Sequence, residues 1–162
     1  MTDQALLDAF WQDAKVRANL NRLPVYLGTG ATEVLRPPAW SFGATPEEAD
    51  ALLALVLEGR KSATSAPLRD FEDAEAELPA TGNLSIITDG AEQPRALLVT
   101  TEVRIVPFGE VDAEHARAEG EHDLTLESWR EVHRAAFRGP DGAPVPDDLP
   151  VVLERFEVLH PT

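Results

Sequence analysis

The segment 57-LEGRKSATSAP-67 combines two cations with three hydroxyl side chains, directly after a helix-like run. Lysine can act as a base or nucleophile when burial or a neighbouring cation lowers its pKa, whereas arginine cannot. Lys61 has Arg60 beside it, and Ser62 and Thr64 offer hydroxyls that a nearby base could activate. The alternative is a cation at a helix C-terminus, followed by residues that favour a strand. Local chemistry alone favours this alternative.

Glu119 is the second residue whose position suggests chemistry. It lies in the last turn of a predicted helix, where a carboxylate opposes the helix dipole and its pKa should rise. Glu121 and Asp123 add like-charge repulsion in the same turn. A carboxyl group that is partly protonated near neutral pH suits general acid–base catalysis. Without other information, a solvated acidic turn is the simpler interpretation.

The helices that must position these residues follow from apolar residues at helical spacing. They are predicted over residues 3–20, 45–59, 111–120 and 125–137. The first has an apolar face that includes Trp11, and this face either covers the rest of the protein or forms a homodimer. Gly59 and Gly120 are expected to end the second and third helices.

Runs of β-favouring residues predict the strands. They cover residues 62–67, 83–89, 95–106 and 151–160. Segment 21–40 is expected to be an ordered loop or arm, and the acidic segment 70–82 a solvated connection. Helices interspersed irregularly among strands favour an α+β fold with an antiparallel or barrel-like sheet.

Strand geometry limits how the two polar residues of the segment can cooperate. Residues three apart on a regular strand point to opposite sides. Lys61 and Thr64 can therefore converge only if the backbone turns between them.

The net charge of −15 restricts the class of partner, because 29 acidic residues stand against 14 Lys and Arg. Tight binding of a long phosphate backbone needs a basic face. Any such face must be small and local here, so the charge suits a small neutral ligand better than a long polyanion.

Composition excludes other classes of function. The sequence has no cysteine, which rules out disulfides and thiolate chemistry. No apolar run approaches the roughly 18 residues of a membrane span. We expect a cytoplasmic protein without a membrane partner, and no cofactor or metal is indicated.

From Trp40 onward, about three-quarters of the chain resembles the ASCH-domain family of the PUA-like superfamily. The matching segments are 40-WSFG-43, 50-DALLALVLEGRKSAT-64, 99-VTTEVRIVPF-108, 112-DAEHARAEGEHDLTLESWREVH-133 and 153-LERFEV-158. The family's G-x-K-x-x-T signature falls on Gly59, Lys61 and Thr64. One departure lies in 119-EGEHD-123, where His122 replaces a glycine that would permit positive φ.

The resemblance implies a small PUA-like β-barrel with flanking helices over residues 40–162, preceded by an extra helix and arm over 1–39. It also implies a cleft for a nucleobase or an RNA end. In some small bacterial members a lysine, a threonine and a glutamate hydrolyse the amide of N4-acetylcytidine. Carried over by motif, these are Lys61 as base, Thr64 as nucleophile and Glu119 as proton shuttle. Because one fold hosts several functions, a ribonuclease on single-stranded RNA and a non-catalytic RNA-binding module remain alternatives.

Further residues are candidates for binding the nucleoside or RNA. Trp40 and Phe42 could stack on a base, although packing of the barrel's first strand is the favoured interpretation. Glu102, like Glu154, lies in a strand among apolar neighbours, which predicts an inward-facing carboxylate. Such a buried acid needs a partner, for which a nearby cation is available. The remaining candidates beside the three motif residues are Arg60, Ser62 and Glu121.

Overall fold

A computed structural model describes residues 3–17 and 36–161, so most of the predicted arm lies outside the described residues. The helices in chain order are α1 (Gln4–Arg17), α2 (Pro46–Leu57), α3 (Leu68–Asp73), α4 (Ala113–Glu119) and α5 (Leu126–Ala136). The strands are β1 (Ala39–Trp40), β2 (Ala63–Pro67), β3 (Leu84–Thr88), β4 (Pro94–Pro107) and β5 (Pro150–His160). A 3₁₀ turn, Phe108–Glu110, follows β4.

The five strands form one sheet in the order β1-β3-β4-β5-β2. Every pairing is antiparallel except the parallel contact of β1 with β3. The α+β class and the PUA-like architecture are confirmed. Within the described residues the sheet is open, with β1 and β2 at its edges, so the predicted barrel is not closed. The final strand lies between two others instead of completing a ring.

Helix α2 begins and ends where its capping residues predict. The Thr45 side chain accepts a hydrogen bond from the Glu48 amide, and Pro46 occupies the first turn. Gly59 adopts a φ of 80° after the last turn. The amides of Arg60 and Lys61 both donate to the Leu55 carbonyl, so the chain leaves the helix in a tight turn. This turn directs Lys61 into the interior.

The acidic turn after α4 is also built by caps. Asp112 accepts from the His115 amide at the start of the helix, and Gly120 takes a φ of 71° at its end. His122 has a φ of 57°, so the turn keeps positive φ without the glycine of related sequences. Thr125 then caps α5.

The N-terminal helix covers the sheet. Leu7, Trp11 and Ala14 are buried against Ile86 of β3 and Leu97 of β4. Of the two roles expected for the apolar face, covering the rest of the protein is observed, and the homodimer stays a prediction. No helix in the described parts of the chain is long and apolar enough to cross a membrane.

Candidate active site

Lys61 is buried, with 2% of its surface exposed. Its ammonium nitrogen Nζ donates to the carbonyls of Ala63 at 3.0 Å and Glu119 at 3.3 Å. The third contact is the Oε2 carboxylate oxygen of Glu121 at 2.8 Å. Three acceptors thus match the three N–H bonds of the ammonium group. The same nitrogen lies 5.6 Å from the centre of the Phe42 ring.

Glu119 is equally buried, and a single carboxylate oxygen collects three donors. Ser65 Oγ, His115 Nε2 and Trp129 Nε1 all contact Oε2, at 2.8, 2.7 and 2.6 Å. The other oxygen, Oε1, lies 4.0 Å from Lys61 Nζ and 3.6 Å from the His133 ring nitrogen Nε2. This buried carboxylate therefore connects one strand, β2, with two helices, α4 and α5.

The surroundings of Glu119 reverse the expected direction of its pKa shift. Burial by itself raises the pKa of this carboxyl group. The hydrogen bond from His115, the nearby His133 ring and the charge of Lys61 outweigh that effect, and the pKa of Glu119 lies well below the ordinary value of 4.5. The predicted rise is wrong. The lowered pKa keeps Glu119 ionised at neutral pH, so the resting carboxylate is a proton acceptor, and its role as a proton shuttle stays a prediction.

The histidines around Glu119 have defined orientations. His115 donates from Nε2 to the carboxylate, while its buried Nδ1 has no hydrogen-bond partner among the described residues. His133 Nδ1 lies 2.7 Å from the Trp129 carbonyl, so that nitrogen carries a proton. Its ring stacks on Trp129 with centres 4.1 Å apart. The position of His133 on the apolar face of the helix beside Trp129 and Phe137 is that of a packed structural histidine, and its side chain is 13% exposed.

Thr64 lies on β2, but its side chain does not join the cluster around Lys61 and Glu119. Among the described residues, no hydrogen bond links its hydroxyl to Lys61 or Glu119. Consecutive strand residues point to opposite sides, so Ser65, the next residue, is the one that contacts Glu119. Thr64 instead lines a cleft next to the buried pair.

This cleft has a volume of about 760 Å³, within the range of small-molecule sites. Aromatic and aliphatic side chains form much of its wall, among them Trp40, Phe71, Leu78 and Val152. Polar residues line the same space: Thr64, Asn83, Ser85, Thr100 and Glu154, with Ser65 at its border although the Ser65 hydroxyl is bound to Glu119. The combination of apolar walls and a few polar groups is typical of a ligand site.

Glu154 lines the cleft, as does Glu77, whereas Glu102 does not. Burial raises the pKa of Glu154, and the hydrogen bond from the Thr100 hydroxyl at 2.7 Å offsets the rise only in part. The inward orientation predicted for Glu154 is therefore observed. The side chain of Glu102 is 49% exposed and pairs with Arg104 at 3.0 Å, so its predicted inward orientation is wrong.

The other predicted binding residues divide between three places. Trp40 lines the cleft, whereas Phe42 is buried in the core and packs on Phe156. Arg60 is exposed and pairs with Glu58, away from the buried pair. Ser62 anchors to the Ala118 carbonyl through both its amide and its hydroxyl, and Glu121 holds Lys61.

The charges around the cleft do not form a basic surface. Of the described residues that line it, Arg36 is the sole cation, and it is bound to Asp8 at 2.7 Å and to the Gln4 side chain. Arg69, whose guanidinium could have met a phosphate, donates to the main-chain carbonyls of Phe137 and Arg138. In the described ranges no group of three or more His, Asp or Glu side chains could hold a metal ion.

The open sheet, its flanking helices and the buried lysine–glutamate pair beside a cleft define a PUA-like α+β domain. The chain belongs to the ASCH-domain family, whose family model matches residues 38–160. The ASCH domain is a PUA-like RNA-binding fold. The family recognised from the motifs is therefore confirmed.

Solved structures that are similar to this chain include two with an overall match of fold. Protein EF3133 from Enterococcus faecalis V583, of the family DUF984, is 33% identical and superposes with a TM-score of 0.76, covering 96% of this chain and 89% of that one. The ASCH domain from Lactobacillus crispatus JV V101 is 24% identical with a TM-score of 0.69, covering 88% and 94% respectively. The similarity to the Lactobacillus crispatus domain shows a shared fold. Among curated proteins, no sequence matches the chain.

Proposed function

We propose that the protein binds a small nucleoside in the cleft beside Thr64 and hydrolyses an amide on its base, with N4-acetylcytidine as the substrate to test. One observation carries the proposal. The buried pair of Lys61 and Glu119 lies against one side of β2, and Thr64 faces the cleft on the other side of the same strand. The retained motif residues thus lie on the two sides of one strand.

The charge of the cleft favours a small neutral ligand over a polyanion. Its lining includes Glu77 and Glu154, and its cation, Arg36, is already paired. A ribonuclease would need Arg60, Lys61 and Arg69 on phosphate groups. These three side chains are respectively exposed, buried and bound to main-chain carbonyls.

In the proposed reaction the Thr64 hydroxyl attacks the acetyl carbon and its proton passes to a base. The C–N bond then breaks, cytidine leaves with a proton on its amino nitrogen, and water hydrolyses the acetyl ester on Thr64 to acetate. Lys61 is held on the other side of β2, so it can take the proton only after it loses a hydrogen bond and a proton of its own and its ammonium group moves toward Thr64. Glu121 is the acceptor that can move, because its side chain is 26% exposed whereas that of Lys61 is 2% exposed. Glu119 stays ionised and positions Lys61.

The test is a steady-state assay with N4-acetylcytidine that follows the release of cytidine and acetate. Thr64→Val should abolish turnover, Thr64→Ser should retain part of it, and Lys61→Ala should lose it while circular dichroism verifies folding. Thr101→Val is the matched control, because Thr101 is exposed on β4 outside the cleft, and it should behave as the wild type. The absence of turnover by the wild-type protein would refute the proposed activity.

A further inference from the structure

Glu154 and Thr64 are direct partners across two strands. They are paired in the antiparallel register of β5 with β2, and both line the cleft. The β-carbons of such partners lie about 4.5–5.5 Å apart on one face. A ligand group that reaches the Glu154 carboxylate therefore lies beside the Thr64 hydroxyl.

The Glu154 carboxyl group can accept further hydrogen bonds from a ligand. One oxygen, Oε2, accepts from the Thr100 hydroxyl at 2.7 Å, and no other residue in the described parts of the chain bonds to this carboxyl group. Among the described residues no cation pairs with it either, and burial raises its pKa. A half-buried carboxylate without an ion-pair partner favours an N–H donor from the ligand.

We propose that Glu154 accepts a hydrogen bond from the N–H at position 4 of a cytosine-type base. Glutamate recognises cytosine through this N4 group in nucleic-acid complexes. The inference deepens the proposed function and rests on it. In N4-acetylcytidine the N4–H and the acetyl carbonyl carbon are attached to the same nitrogen, so Glu154 places the bond to be broken against Thr64.

The geometry also predicts discrimination against uridine. Uracil carries the acceptor O4 at this position, and that oxygen would face the carboxylate oxygen without a proton between them. A buried acceptor left without its donor weakens binding. Glu154 would thus select the base as well as orient it.

The test is an NMR titration of ¹⁵N-labelled protein with cytidine and, separately, uridine. Cytidine should bind at least about fivefold more tightly than uridine, the lower end of discrimination by base contacts. Glu154→Ala should remove this preference, whereas Glu154→Gln keeps a carbonyl acceptor and should retain much of it. Glu157→Ala, an exposed glutamate of the same strand outside this cleft, is the control and should match the wild type.

Equal binding of the two nucleosides by the wild type, binding of neither, or an unchanged preference in Glu154→Ala would each overturn the inference. The amide hydrolysis assay separates this result from the proposed activity. Turnover of N4-acetylcytidine with an unchanged preference in Glu154→Ala leaves the activity standing and removes the role of Glu154. A Glu154-dependent preference without turnover leaves the recognition standing and removes the hydrolysis.

Discussion

Glu119 acts in this molecule as a permanently charged residue. Its oxygen Oε2 receives donors from a strand and from two helices, namely Ser65, His115 and Trp129. With these donors in place the carboxylate fixes Lys61 and the strand that carries Thr64 relative to α4 and α5. The observed contacts therefore give this carboxylate a structural and electrostatic role in the site.

We expect Glu119→Gln to lower the free energy of unfolding at neutral pH by about 3–5 kcal/mol, the cost of removing one partner from a buried ion pair. The pH dependence should change as well. Since the folded pKa of Glu119 lies below 4.5, the wild type keeps this stabilisation above pH 4.5. It loses the stabilisation as pH falls below 4.5, because the unfolded chain then takes up a proton that the folded state does not bind.

Urea denaturation across acidic pH, followed by circular dichroism, measures both effects. The acid-induced loss of stability should be smaller in Glu119→Gln than in the wild type. Glu102→Gln is the control, because that glutamate is half exposed and should alter stability little. Equal stability of Glu119→Gln and the wild type at pH 7 would contradict the role assigned to the carboxylate.

The sequence predicts which residues belong to the site better than it predicts the contacts between them. The motif locates Lys61 and Glu119. Strand periodicity allows Lys61 and Thr64 to converge only if the backbone turns between them, and the convergence expected in one cleft is not observed. A histidine four residues before Glu119 on one helix was a detectable signal for the His115 contact. The Trp129 and Ser65 contacts depend on how separate elements pack, so no local pattern could reveal them. Most of the groups that lower the pKa of Glu119 are distant from it in sequence, whereas its neighbours in sequence are acidic and predicted a rise.

At the scale of elements, the junction between the end of α4 and the turn after α2 requires a glycine. Gly120 has a φ of 71°, which side chains rarely adopt. A β-carbon there would lie 2.2 Å from the Arg60 carbonyl oxygen and 2.9 Å from the Lys61 amide nitrogen. This close approach lets the carbonyl of Glu119 receive the Lys61 ammonium.

Gly120→Ala should therefore destabilise the fold and separate the buried pair. Positive φ alone costs an alanine about 1–2 kcal/mol. Gly142→Ala isolates that cost, because Gly142 has a φ of 74° with nothing within 4 Å of its β-carbon position. The backbone overlap at Gly120 should add about 1–3 kcal/mol. Thermal or urea unfolding compares the two variants, and equal losses would show that the junction has room for a side chain.

Caps and periodicity predicted the helices and strands that have local signals. Thr45, Asp112 and Thr125 all cap helices, and both glycine stops adopt left-handed conformations. Two elements were missed. Helix α3 lies partly within the segment expected to be a solvated connection, and β1 is a two-residue strand whose pairing with β3 is long-range. Short elements of this kind form through tertiary contacts that local sequence does not encode.

At the scale of the whole molecule, α1 is integral to the domain although the family match begins after it. Its residues Leu7, Trp11 and Ala14 complete a buried cluster with β3 and β4. Arg36 also ties the start of the matched region to α1 through Asp8 and Gln4, at the edge of the cleft. The helix therefore supports one wall of the cleft as well as the sheet.

The net charge of −15 leads to a prediction about salt. Binding of cytidine in the cleft should be nearly independent of ionic strength, because no phosphate is neutralised and the cleft cation is paired. A protein that contacts several phosphates loses on the order of 10³-fold in affinity between about 50 and 200 mM salt. NMR titration with cytidine, and fluorescence anisotropy with a labelled single-stranded RNA of about ten nucleotides, compare the two ligands across this range. If RNA binding depends steeply on salt, and RNA binds more tightly than cytidine, the prediction is wrong. The protein then has a phosphate-binding surface, and RNA is the ligand of the cleft.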